Sequence, residues 1–150
     1  MNRVQEGRVS ALKTIATRWM EDVWQRGDLD AVDELHAPDF VDRSPAGRGS
    51  DLASYRKGIA ELYAAFPNFR AIIEDLIVES RTGKVVIRWR ATGTHRGSFL
   101  GVEATGRVIR FRGIEILQIE AGKIVERWGE WDGLNLVDQL RGDQENVARG

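Results

Sequence analysis

The chain has 150 residues, of which 42% are hydrophobic, and this length and content suit one domain, 1–150, with a single core. Lys and Arg number 22 against 23 Asp and Glu, so the charge gives no reason to expect nucleic acid or an anionic membrane as a partner. The chain has no cysteine and only two histidines, His36 and His95, which excludes disulfides, thiolate chemistry and a histidine-rich metal centre.

The first half of the sequence predicts three helices. Apolar residues recur there at three- and four-residue spacing, and Gly, Asp and Pro mark the ends. The first twenty residues contain no long apolar run, so we expect neither a signal peptide nor a transmembrane helix, and a cytoplasmic protein. The predicted helices run from about Ser10 to Gly27, from Asp28 or Asp30 to Pro38, and from Ser50 or Asp51 to Pro67, with a short extended piece and a loop, DFVDRSPAGRGS, before the third.

From Phe69 onward the apolar period changes to two, which predicts strands. Turn sequences such as RTGK and EAGK separate them, and GSFLGVEATG forms a longer loop. A short closing helix and a polar tail, 141–150, follow. The predicted strands span 69–79, 84–95, 107–119 and 123–132, and helices followed by an antiparallel meander indicate an α+β fold with helices on one face of a curved sheet.

Alternation within the second and third of these strands places two polar residues on the core side. His95 ends the row that contains Ile87 and Trp89, whereas Arg88 and Arg90 point the other way. Glu115 lies in the apolar row of Phe111, Leu117 and Ile119. A buried carboxylate needs a partner, so Glu115 either pairs with an arginine of a neighbouring strand or has a chemical role.

The last strand has no clean apolar face. Glu126, Trp128, Glu130 and Asp132 share one row, and Arg127, Gly129 and Trp131 share the other. A bulge at Gly129 would exchange the two faces, so alternation alone does not say which acid points inward. Asp132 directly precedes GLNLVDQL, so it either caps the closing helix or handles protons at the mouth of a cavity.

Four stretches of the chain resemble the SnoaL-like polyketide cyclases (ester cyclases) of the nuclear transport factor 2-like superfamily. They are VWQRGDLDAVDELHAPDFVDRSP, AAFPNFRAIIEDL, RWRATGTHRGSFLGVEATGR and GIEILQIEAGKIVERWGEWDGLNLVDQL, and the resemblance covers about 19–140. It implies a cone-shaped α+β barrel, in which a strongly bent mixed or antiparallel sheet wraps around the N-terminal helices and leaves a deep apolar pocket.

The resemblance also implies an activity and a site. Enzymes of the family close a ring in polyketide esters by intramolecular aldol condensation, without metal or cofactor, and their acid/base carboxylate matches Asp132 in EWD. This chemistry needs apolar walls that raise the pKa of the carboxylate and a donor for the oxyanion. Nearby Glu130 or Glu115 would raise that pKa further by repulsion.

Two departures from the family pattern weaken this assignment. Many relatives have histidine at the positions of Arg43 and Arg127, so His95 is left as the main neutral donor. The same scaffold also serves isomerases, epoxide hydrolases and non-catalytic domains that hold a hydrophobic ligand. An epoxide hydrolase would need a carboxylate–arginine–carboxylate set, with Arg88 or Arg90 pointing inward, and alternation argues against this.

The sequence therefore predicts a pocket for a small apolar or aromatic substrate, and no metal or cofactor. We expect a homodimer through the outer face of the sheet, where Val108, Ile114 and Ile116 lie beside Arg110 and Arg112. The predicted catalytic residues are Asp132, His95 and Glu115, and the predicted substrate-binding residues are Trp19, Trp89, Phe111, Leu117, Trp128, Glu130 and Trp131.

Overall fold

The described residues, 2–44 and 47–142 of a computed structural model, form an α+β fold with one open, mixed sheet. The predicted cone-shaped fold is confirmed, because the sheet curves around helices that fill its concave side. The elements in chain order are helix α1 (Arg3–Arg18), a π-helical segment (Trp19–Gln25), helix α2 (Leu29–Leu35), strand β1 (His36–Asp42), helix α3 (Leu52–Ala65), strands β2 (Arg70–Glu79), β3 (Lys84–Thr94), β4 (Val108–Glu120) and β5 (Lys123–Trp131), and helix α4 (Gly133–Arg141).

The four predicted strands agree with β2 to β5 within one or two residues. They form the antiparallel meander, and β1 adds a fifth strand parallel to β5, in the order β1-β5-β4-β3-β2. The sequence predicted this segment only as a short extended piece, and the strand begins earlier, at His36. The polar tail was predicted over 141–150, and its residues from 143 onward lie outside the described part of the chain.

The first helix differs from the prediction at its start and in its type, but it ends just before Gly27, as predicted. It begins at Arg3, where Asn2 caps it, and it continues past Arg18 as the π-helical segment. In an α-helix, residues five positions apart point in different directions, whereas a π-helix joins them through its backbone hydrogen bonds. Trp19 and Trp24 are five apart and make an edge-to-face contact at 5.7 Å between ring centroids. The π-helical segment therefore presents both indoles to the inside of the cone.

A bulge in β5 decides which of its side chains face the core. Gln118 pairs with Glu126 but the next residue, Ile119, pairs with Ile124, so Val125 is the extra residue. Beyond it, Arg127, Gly129 and Trp131 face inward, and Trp128 and Glu130 face outward. The bulge that the sequence suggested at Gly129 is therefore at Val125 instead.

The outer face of the sheet carries an apolar row that crosses four strands. The register places Ile77 opposite Val86, Val86 opposite Ile116, and Ile116 opposite Trp128. Ile77, Val108 and Ile114 on the same face are 57%, 62% and 48% exposed. We propose that this face forms the homodimer interface, because a row of this kind is stabilised when a second copy covers it.

Ile116→Arg should convert the dimer to a monomer, because it places a charge in the middle of the apolar row. Static light scattering at micromolar concentration should give about twice the chain mass of 16.9 kDa for the parent protein and about one chain mass for the variant. Val4→Arg is the control, since Val4 is 81% exposed on α1, away from the sheet face. A monomeric parent protein contradicts the proposal.

Candidate active site

A cavity of about 210 Å³ opens on the concave side of the sheet. Apolar side chains from several elements form most of its wall, and seven of them are aromatic. Phe99 and Leu100 come from the loop between β3 and β4. Gly58 and four charged residues, Arg48, Glu61, Glu115 and Arg127, complete the lining. The apolar members are Trp19, Met20, Trp24, Ile59, Leu62, Phe69, Ala71, Trp89, Phe99, Leu100, Phe111, Trp131 and Leu136.

Glu115 is the buried carboxylate of this cavity. Its residue is 2% exposed, and its Oε1 accepts hydrogen bonds from Trp89 Nε1 at 3.2 Å and from Arg127 Nη2 at 3.0 Å. Its other oxygen, Oε2, lies 2.8 Å from Arg127 Nε. Both oxygens of Glu115 therefore contact the Arg127 guanidinium, and Trp89 holds one of them as well.

Burial sets the protonation behaviour of Glu115. It raises the pKa of the carboxyl above its ordinary value, and the positive charge of Arg127 offsets this only in part. Burial alone would lower the pKa of Arg127, but Glu115 and Asp42 raise it, so the guanidinium stays charged. The arrangement therefore combines a permanent cation with a carboxyl group whose pKa lies above its ordinary value.

A second carboxylate holds Arg127 from the other side. Asp42, at the end of β1, accepts a hydrogen bond from Arg127 Nη1 at 2.8 Å, and its side chain is 1% exposed. Asp42 also accepts from the backbone N–H of Ser44 and from Arg48 Nε, each at 3.0 Å. The result is a chain of alternating charges, Arg48–Asp42–Arg127–Glu115, which we call the ion-pair chain.

Aromatic rings pack against this ion-pair chain. The ring of Tyr55 lies 5.2 Å from the Arg127 guanidinium and 5.7 Å from that of Arg48. Its hydroxyl accepts a hydrogen bond from Trp19 Nε1 at 3.1 Å, and burial raises the pKa of Tyr55 to about 12. Tyr55 therefore stays neutral and links the charges to the cavity indole of Trp19.

Two glycines make room for these contacts. A Cβ at Gly113 would lie 2.5 Å from the Trp89 ring, and a Cβ at Gly129 would overlap Glu115 Oε2 and lie 2.7 Å from Arg127 Nη2. Gly113 on β4 pairs with Trp131 on β5, and Gly129 on β5 pairs with Glu115 on β4. Because neither glycine has a side chain, the inner face of the sheet has room there for Trp89 and for the Glu115–Arg127 ion pair.

The predicted catalytic residue Asp132 lies elsewhere. Its carboxylate is exposed, it caps α4 by accepting a hydrogen bond from the Asn135 N–H at 3.0 Å, and it is outside the cavity lining. Asp132 lines a second pocket instead, together with Arg90, Arg110 and Arg112. Its contacts support the capping alternative, and its catalytic role stays a prediction. The Val125 bulge brings Trp131 inward, and the chain turns into α4 directly after it.

His95 is also outside the cavity lining. Its ring is fully buried, stacks on Phe66 at 5.3 Å, and accepts at Nδ1 from the Thr105 N–H at 3.2 Å. These contacts close the base of the loop between β3 and β4, because the backbones of His95 and Gly106 pair there as well. The role of His95 as a donor to substrate oxygens stays a prediction.

Of the predicted substrate-binding residues, Trp19, Trp89, Phe111 and Trp131 line the cavity together with Glu115. Trp128 and Glu130 do not, because the bulge at Val125 turns them to the outer face, where the Lys84 ammonium lies over the Trp128 ring. Leu117 is fully buried but outside the lining, because core side chains pack around it.

Sequence reasoning missed Asp42, Arg127 and Arg48. Phe40 and Asp42 are two positions apart, so in a strand their side chains point to the same face. This segment was predicted only as a short extended piece, and the spacing was therefore not used. Arg127 shares a row with Trp131, which the bulge makes the inner row. Arg48 comes from a loop, and alternation gives no information about its direction.

Within the described ranges, 2–44 and 47–142, no group of three or more His, Asp and Glu residues is arranged to hold a metal ion. The same part of the chain has no helix that is both long and apolar enough to cross a membrane.

Comparisons with known proteins agree on one family. The family profile of the SnoaL-like polyketide cyclases matches residues 14–140. A search of the curated proteins finds no significant match.

Several solved structures share the fold. AclR, a candidate hydroxylase from Streptomyces galilaeus, is 28% identical with a TM-score of 0.79, and the match covers 89% of this chain and 98% of AclR. A candidate polyketide cyclase from Acidithiobacillus ferrooxidans is 29% identical with a TM-score of 0.77, covering 88% and 95%. IdmH, a candidate polyketide cyclase from Streptomyces antibioticus, is 27% identical with a TM-score of 0.75, covering 87% and 98%.

Gly129→Ala should destabilise the fold by about 2–4 kcal/mol, because the added methyl group overlaps the buried ion pair of Glu115 and Arg127. Urea unfolding measures the change. Gly7→Ala is the matched control, since Gly7 lies in α1 with no atom within 4 Å of the added Cβ, and it should be neutral or slightly stabilising. Equal effects of the two substitutions would refute the packing role of Gly129.

His36 should make the stability depend on pH. Burial lowers its pKa from 6.5 to about 4, since the ring packs between Phe40 and Tyr55. The folded state therefore binds fewer protons than the unfolded state between pH 6.5 and 4, and the stability that is present above pH 6.5 is lost as the pH falls through this window. At pH 5 the loss from this group is roughly 2 kcal/mol.

The measurement is urea unfolding at pH 7.5 and pH 5 for the parent protein and for His36→Gln, which keeps an N–H donor for the Val32 carbonyl. We expect the loss between the two pH values to be smaller in the variant by roughly 2 kcal/mol. The same loss in both proteins would show that His36 charges freely in the folded state.

Proposed function

Because this chain belongs to the SnoaL-like polyketide cyclase family, we propose that it is a cofactor-independent cyclase that closes a ring in a small apolar or aromatic carbonyl compound. The observation that carries the proposal is the position of Glu115: a buried carboxyl with a raised pKa, ion-paired with Arg127, in the wall of a largely apolar cavity. AclR and IdmH, a candidate hydroxylase and a candidate cyclase, support a role in small-molecule chemistry of this type.

In the proposed reaction, Glu115 acts as general base and then as general acid. Its carboxylate takes a proton from the carbon next to a substrate carbonyl, and the enolate attacks a second carbonyl of the same molecule. The new carbon–carbon bond leaves an alkoxide, which takes the proton back from Glu115, so that the overall ring closure is an isomerisation. Asp132, which the family resemblance favours for this role, keeps the helix-capping function that its contacts support.

The surroundings of Glu115 suit this sequence of steps. The indoles of Trp19 and Trp131 and the ring of Phe111 exclude water, which strengthens the electrostatic interactions inside. Arg127 supplies a fixed positive charge beside the carboxyl. Trp24 lines the cavity, and its Nε1 is buried without a partner among the described residues, so it is a candidate donor for a substrate oxygen.

The ion-pair chain also favours a second candidate function, that of an epoxide hydrolase. Arg127 lies between two carboxylates, Asp42 and Glu115, which is the carboxylate–arginine–carboxylate set that such an enzyme needs to activate water. The arginine is not Arg88 or Arg90, which are exposed on the outer face as the alternation predicted. Only Glu115 of the two carboxylates lines the cavity, and the cyclase therefore remains the first proposal.

The first step can be measured without the natural substrate, as exchange of α-hydrogens in D₂O. NMR would follow the exchange in an aromatic ketone such as 2-acetylnaphthalene, and turnover of aromatic polyketone esters and epoxides would follow by mass spectrometry. Glu115→Gln should reduce the rate by roughly 10²–10⁴-fold, the usual contribution of a general base. Asp132→Asn should be nearly silent, since Asn caps a helix about as well as Asp.

The control separates the possible roles. Loss of exchange in Asp132→Asn and its retention in Glu115→Gln would contradict the assignment and return the base to Asp132. If the parent protein catalyses no exchange and turns over neither compound class but still binds the ketone, it is a binding module.

A further inference from the structure

Arg48 occupies a place in the cavity that the proposed reaction does not use. It lies in the loop before α3, lines the cavity, and its side chain is 28% exposed, whereas that of Arg127 is 4% exposed. Nε and Nη2 of Arg48 lie 3.0 and 2.8 Å from the same oxygen of Asp42, Oδ2. The third nitrogen, Nη1, donates no hydrogen bond to any described residue. One edge of the guanidinium is therefore fixed and the other is free to bind.

The adjacent helix is shaped to receive this side chain. Gly58 lies inside α3, where glycine costs about 1 kcal/mol relative to alanine. A Cβ at this position would lie 3.1 Å from Arg48 Cδ and 3.4 Å from its Nε, closer than side chains normally approach. Gly58 also lines the cavity. The helix thus gives up intrinsic stability at the point where Arg48 crosses it.

The charge of the wall favours an anion. Arg48 and Arg127 face Asp42 and Glu115, so the ion-pair chain has no net charge only when both carboxyls are ionised. Asp42 is 1% exposed at its side chain and lies outside the cavity lining, whereas Arg48 is part of the lining, so the cavity meets the positive member of this pair. Glu61, the remaining charged group of the lining, has a side chain that is 63% exposed, so water screens it.

We propose that Arg48 is an anion subsite of the cavity, and that the ligand is an aromatic compound with a carboxylate or another ionised oxygen bound at Nη1. The apolar body of the ligand lies against the cavity indoles, and its anionic group reaches the free edge of the guanidinium, which matches a carboxylate in geometry. This inference names the substrate class of the proposed function. It rests on the proposed function only for the position of the site, because ligand binding can be measured without turnover.

A matched pair of probes tests the subsite: 2-naphthoate and its neutral amide, 2-naphthamide, titrated into the full chain by isothermal calorimetry. The parent protein should bind the carboxylate at least about tenfold more tightly than the amide, the gain of one charge-assisted contact. Arg48→Gln should abolish this preference, and Arg48→Lys should keep part of it. Arg56→Gln is the control, because Arg56 pairs with Asp33 outside the cavity lining and its loss should leave the preference unchanged.

Equal affinity of the parent protein for the two probes, no binding of 2-naphthoate, or a preference that survives in Arg48→Gln would each overturn the inference. Circular dichroism shows whether Arg48→Gln is folded, and Arg48→Lys keeps the test decisive if it is not. The calorimetric test measures binding without turnover, so a protein that fails the exchange experiment can pass this one, and the two proposals fail separately.

Discussion

The buried guanidinium of Arg127 is the interaction on which the rest of the site depends. It lies on β5, between Asp42 on β1 and Glu115 on β4, so one side chain joins three neighbouring strands through their inner faces. Removing one partner of such a buried pair leaves an uncompensated charge, at a cost of about 3–5 kcal/mol. The parallel strand β1 is consequently part of the site, because without Asp42 the positive charge beside the cavity would have only Glu115 to balance it.

Space for the ion-pair chain and the cavity around it comes from small residues and from irregular backbone. Gly113, Gly129 and Gly58 each leave a gap that a neighbouring functional side chain fills. The π-helical segment brings Trp19 and Trp24 to the same wall. In each case the chain gives up local regularity, and the cavity gains a polar group inside an aromatic surface. The departures from regular structure therefore cluster around Glu115, as expected where local rules yield to function.

Much of the architecture follows from periodicity. The four strands of the meander, the helix capped by Asp51 and the inward direction of Glu115 could all be read from alternation and capping residues. The partner of Glu115 was also correctly expected to be an arginine of a neighbouring strand. These features depend on local sequence, which a single chain reports directly.

The remainder depends on contacts between distant residues. Asp42 and Arg127 are 85 positions apart, and no local pattern pairs them. One extra residue at Val125 exchanges the faces of β5, so Arg127 and Trp131 line the cavity, whereas Trp128 and Glu130 face outward. For Asp132, the family resemblance outweighed the capping reading, and the position of its carboxylate supports the cap.

The central claim is that Glu115 is a cavity carboxyl whose pKa lies above its ordinary value of 4.5 although Arg127 is beside it. The most direct measurement is a pH titration of ¹³C-labelled glutamate carboxyls by NMR, with the Glu115 signal assigned by its absence in Glu115→Gln. The account predicts that this signal titrates above 4.5. A Glu115 signal that titrates at or below 4.5 would show that Arg127 outweighs burial, and would contradict the assignment of Glu115 as the proton-exchanging group.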